Sequence, residues 1–139
     1  MQRDTVLRWI DTISALVARI LRRDPGASVE LARHQLDDAR RMLLGPVESL
    51  MPHLDPERAA DLLADPDRIY GYVQLLALES ALLRIDGRVE WRAAAERAVA
   101  LCRLAAARLE PPPVEWLRWA DDAEADLRGE DPGSPRSPG

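Results

Sequence analysis

The chain has 139 residues, 47% hydrophobic and 31% charged, with a formal net charge of −5 and one cysteine, Cys102. That length sets one domain able to bury about two-thirds of the surface its unfolded chain exposes, and the apolar content excludes wholesale disorder. The acidic balance opposes nucleic-acid binding through overall charge, a lone cysteine excludes an internal disulfide, and no apolar run approaches the ~18 residues of a membrane span.

Phe is absent and aromatic residues make up 4%, so Leu and Ala must fill the interior. Such a core suits closely packed helices better than sheets, which favour β-branched and aromatic side chains. All 19 basic residues are Arg, a mark of genome composition before function. The opening MQRDTVLRWID mixes charges without an apolar signal segment, and a cytoplasmic location is expected.

From Thr5 to Arg23, the residues Val6, Trp9, Ile10, Ile13, Leu16, Val17, Ile20 and Leu21 share one half of a helix. Asp24-Pro25-Gly26 stops it. Ser28 stands at an N-cap position for a second helix to about Leu44, with Val29, Ala32, Leu36, Ala39 and Leu43 facing the core. Gly45-Pro46 ends that helix. Asp55-Pro56 pairs a cap with a first-turn proline, predicting a short helix in DPERAADLL.

Asp65-Pro66 repeats the device and opens a helix to about Ile85 that is apolar almost all round, as a central element must be. Gly71 within it permits close packing or else lines a ligand pocket, and Asp86-Gly87 ends it. A helix from about Val89 to Leu109 shows Trp91, Ala94, Ala95, Ala98, Leu101, Cys102, Ala105 and Leu109 on one face. After Pro111-Pro112-Pro113, a last helix from Val114 to Arg128 places Trp116, Trp119, Ala120, Ala123 and Leu127 on its apolar side. The reading is one all-α domain over 1–128, about five main helices plus a short one, then a disordered tail over 129–139. No segment reads as a strand.

The stretch LLRIDGRVEWRAAAERAVALCRL, residues 82 to 104, resembles a tetratricopeptide-type antiparallel helical hairpin. Counted back from Gly87, Leu76, Ser80 and Leu83 fit that pattern and Glu79 does not; Arg92 and Glu96 depart from it in the second helix. A slip of about two residues brings Ala94 and Ala98 near the places reserved for small side chains. No second copy appears at the ~34-residue period of such arrays. RDTVLRWIDTISALVARIL followed by this hairpin is similar to an uncharacterised family of short bacterial all-helical proteins of tetratricopeptide-like character, over roughly residues 3 to 109. The resemblance implies a fold and a protein-binding role, and no reaction.

Glu79 is the most informative polar residue, a carboxylate on a helix with little room for exposure. A buried ion pair with Arg92, the nearest arginine across the turn, is expected. The alternatives are a ligand-binding or catalytic carboxylate, with Tyr72, in an internal pocket, and simple exposure. His34, Asp37 and Asp38 share a helical face, but arginines crowd it and no second cluster completes a metal site. His53 stands alone in a loop, and Cys102 falls on the Ala-rich face as a small hydrophobe.

Core packing is expected of Trp9, Trp91, Trp116 and Trp119, with Trp116 and Trp119 also the candidate interaction residues. They lie on the acidic last helix: Glu110 to Asp131 holds eight acids and two arginines, whereas residues 1–45 hold eight arginines and six acids. Docking of that helix on the basic first pair is therefore expected. The sequence predicts a non-catalytic module without metal or cofactor, binding another protein or itself, with a homodimer as one form and neither nucleic acid nor membrane as partner. Weak RNA binding through Arg22, Arg23, Arg33, Arg40 and Arg41 ranks last.

Overall fold

A computed structural model describes residues 3–129, apart from the side chains of Arg3, Asp4 and Val6. The helices are α1 (Arg3–Leu21), α2 (Val29–Leu44), α3 (Pro56–Leu63), α4 (Pro66–Ile85), α5 (Trp91–Ala107) and α6 (Val114–Leu127). Two short 3-10 turns, Gly45–Val47 and Met51–His53, bridge α2 and α3. Among the described residues there is no strand. The placement of Val6 in the core and the tail beyond Gly129 lie outside what is described.

The local signals act as their chemistry requires. Ser28 Oγ accepts the Leu31 N–H (3.2 Å), Asp55 Oδ1 accepts that of Arg58 (2.8 Å), and Asp65 Oδ1 accepts that of Asp67 (2.9 Å). Each cap satisfies a donor the helix itself leaves open. At the other ends, Gly45 (φ 56°) and Gly87 (φ 70°) adopt left-handed φ without a Cβ clash. α1 stops two residues before its expected end. Arg23 turns to φ 59°, and Asp24 holds the turn by accepting from Arg19 Nε (3.0 Å) and the Gly26 N–H (2.9 Å).

α4 lies in the middle, touching α1, α2, α3 and α5, as its lack of a polar face dictates. It buries Ile69, Tyr72, Val73, Leu75, Leu76, Leu78 and Leu82. Against it lie Ile10, Ile13, Leu16 and Val17 of α1, Ala32, Leu36, Ala39 and Leu43 of α2, and Ala98, Leu101, Cys102 and Ala105 of α5. Gly71 is buried among them.

Three expectations of packing change. Trp116 is buried and Trp9 and Trp119, partly buried, pack against the core as expected, whereas Trp91 lies outside it. Leu21, expected in the core, is 65% exposed, because α1 ends there and nothing crosses it. The last helix does not dock on the first pair; α6 packs on α5. Its acids find nearer cations: Arg103 donates to Asp121 (3.0 Å) and Glu124, and Arg84 Nη1 donates to Asp126 (2.9 Å). Meanwhile Arg33 pairs with Asp86, and Arg41 with Asp38, so the basic first pair spends much of its charge locally.

Candidate functional site

Six helices of unequal length leave clefts where their ends do not cover one another. The first, about 490 Å³, opens between the end of α1 and helices α4, α5 and α6. Alanines from three helices, among them Ala77, Ala81, Ala95 and Ala123, form its floor, and Leu21, Trp91 and Trp119 rise beside it. Small residues leave the space and large ones at the helix ends wall it.

Its polar groups are already engaged. Ser80 Oγ donates to the Trp91 carbonyl at 2.7 Å. The Arg84 guanidinium lies 4.2 Å from the centre of the Trp91 ring while donating to Asp126. An Arg held over an indole face and against a carboxylate is oriented as well as neutralised. The cleft therefore offers apolar surface within a neutral rim.

Trp116 faces elsewhere. Its ring stacks on Tyr70, centroids 4.8 Å apart, and borders a second cleft of about 810 Å³ with Leu7 and Met42. Burial raises the Tyr70 phenol above its ordinary pKa, with the nearby Cys102 and Glu115 adding to the shift. The two candidate interaction residues thus line different clefts on one helix; the structure does not bring them into one site.

Glu79 does not pair with Arg92. Its Oε2 accepts from Arg40 Nη2 of α2 at 3.2 Å, while Arg92 Nη1 reaches the Leu127 carbonyl at 2.7 Å. Nor is Glu79 fully buried: 38% of the side chain is exposed. The reason is angular: Ser80 turns toward the start of α5, and Glu79, ~100° round the helix, turns toward α2. The pair borders a third cleft of about 530 Å³ that Tyr72, Glu48 and Arg97 also line. Arg97 was missed in the sequence; it donates to the Leu54 carbonyl (2.6 Å) and the Met51 carbonyl, tying the irregular segment to α5.

The remaining candidates stay apart. Asp37 and Asp38 are held by Arg40 and Arg41, and among the described residues no three His, Cys, Asp or Glu side chains converge as metal ligands. His53 is exposed. Cys102 is buried with Sγ 3.4 Å from the Trp116 carbonyl, and burial pushes its thiol up to about 11. A protonated, covered thiol is a packing group.

Compared with known proteins, the chain matches no family model, no curated protein and no solved structure. No described helix is long and apolar enough to cross a membrane.

Proposed function

We propose that this chain acts in the cytoplasm as a non-catalytic protein-interaction module, seating the apolar edge of a helix in the cleft walled by Leu21, Trp91 and Trp119. That helix comes from another protein or from a second copy of the chain. The observation that carries this reading is the pairing of open apolar surface with polar groups already satisfied: Ser80 by a carbonyl, Arg84 by Asp126. Catalysis needs convergent polar groups free to engage a substrate, whereas binding a helix needs concave apolar area with aromatic anchors. The resemblance of residues 82–104 to a tetratricopeptide-type hairpin supports the same role, and one buried free thiol suits a reducing compartment.

The test is light scattering together with pulldown on wild type and Leu21→Glu. Leu21 is exposed, so the substitution charges the rim while leaving the core alone. Self-association or specific retention that Leu21→Glu abolishes supports the module. A strict monomer that retains nothing overturns it.

A further inference from the structure

The cleft beside Glu79 differs in kind from the tryptophan cleft, and the inference drawn from it stands independently of the proposed module. Its charged groups fall into two sets. Arg40 pairs with Glu79 across α2 and α4 and with Asp37 on its own helix. Glu48, between the two 3-10 turns, and Arg97, on α5, make no ion pair with one another or with any other described residue. Arg97 is part-buried, meets two backbone carbonyls and no carboxylate, and its Nε is covered without an acceptor. Tyr72, 4% exposed, lines the same cleft with no hydrogen-bond partner for its phenol among the described residues.

We infer that this cleft binds a small zwitterion with an apolar body, the chemistry of a free α-amino acid. Arg97 is met only by neutral carbonyls and Glu48 by no described cation, so a ligand carrying both charges gives each an opposite charge. A ligand carboxylate meets Arg97 and the Tyr72 hydroxyl; a ligand ammonium meets Glu48. Between them Pro52, Ala93 and Ala94 supply apolar surface for a side chain, with Leu44, Met51 and Leu76 buried beneath. A bare carboxylate would face Glu48 as a like charge, and a bare amine would face Arg97 in the same way. The volume falls within the ~300–1,000 Å³ of small-molecule pockets.

The test is calorimetric titration of the full chain with L-leucine and L-methionine, beside 4-methylpentanoate and 3-methylbutylamine, each lacking one charge. Wild type is expected to bind at least one amino acid, and both one-charge analogues more weakly by about tenfold or more. Glu48→Gln and Tyr72→Phe are each expected to weaken binding about tenfold with melting unchanged, since neither group holds another part of the fold. Absence of binding by both amino acids overturns the inference. So does an analogue that binds as tightly as its parent, or a Glu48→Gln variant that binds like wild type.

Discussion

The ring of Trp116 lies flat against that of Tyr70, planes within 4° of parallel and centroids 4.8 Å apart, joining α6 to the start of α4. Two residues 46 positions apart thus help fix the last helix, beside Ala120 in the core, Trp119, Ala123 and Leu127 packed against it, and ion pairs at the surface. Exposed ion pairs contribute little, so apolar contacts, the buried Trp116 ring first among them, hold the helix. Trp116→Ala is expected to cost about 3–5 kcal/mol in urea unfolding. In a double-mutant cycle, Tyr70→Leu with Trp116→Leu should show coupling of about 0.5–1.5 kcal/mol. Zero coupling would mean the rings share a boundary without supporting each other.

The Arg40–Glu79 contact makes a second prediction. With side chains 23% and 38% exposed, the pair is partly screened, so Glu79→Gln is expected to cost about 0.5–1 kcal/mol. The coupling belongs with Arg40: Arg40→Gln combined with Glu79→Gln should lose less than the two single costs added. Arg92→Gln combined with Glu79→Gln should be additive, since Arg92 is committed to the Leu127 carbonyl. Chemical denaturation of the three single and two double variants separates the two cases.

Much of the helical plan is written in local chemistry. Ser28, Asp55 and Asp65 announce helix starts because a side-chain oxygen bonding a nearby N–H is a matter of a few residues. The central place of α4 is equally legible, since a helix apolar on all sides has nowhere else to go. What pairs with what is less so. Counting charges directs α6 toward the arginines of α1 and α2, yet Arg103 and Arg84, near it in space through the short α5–α6 connection and the α4–α5 turn, take its acids first. Nor is a cleft readable when its walls come from α1, α4, α5 and α6, because it is made by where helices end in space.

Arg97 holds the connection between α2 and α3, a stretch with two 3-10 turns and few buried side chains apart from Met51. Its hydrogen bonds to Met51 and Leu54 replace the regular ladder that this stretch lacks. Arg97→Met keeps apolar bulk and removes both donors. The expected cost is about 2–3 kcal/mol, because charge-assisted bonds are lost and part-buried carbonyls are left bare. Faster amide exchange confined to residues 47–55, with α1 and α6 unchanged, is the accompanying signature.

Cys102 gives the chain a pH dependence with a defined sign. Burial raises the folded thiol from its ordinary 9.0 to about 11, while the unfolded thiol keeps the ordinary value. Below pH 9 the group is protonated in both states and stability is at its full level. Between pH 9 and 11 the unfolded chain releases the proton first, so stability falls as pH rises, by about 2–3 kcal/mol from this group. Tyr70 is raised as well and adds to the fall at higher pH, so wild type alone does not isolate the thiol. Cys102→Ala does: its unfolding free energy should decline less steeply over pH 9–11, and the two curves should converge as the wild-type thiol is titrated. Thiol reagents at pH 8 should leave native Cys102 unmodified and react at once in denaturant. Rapid modification of the native protein would mean that the contact with the Trp116 carbonyl opens readily and that α6 leaves α5 far more often than its packing implies.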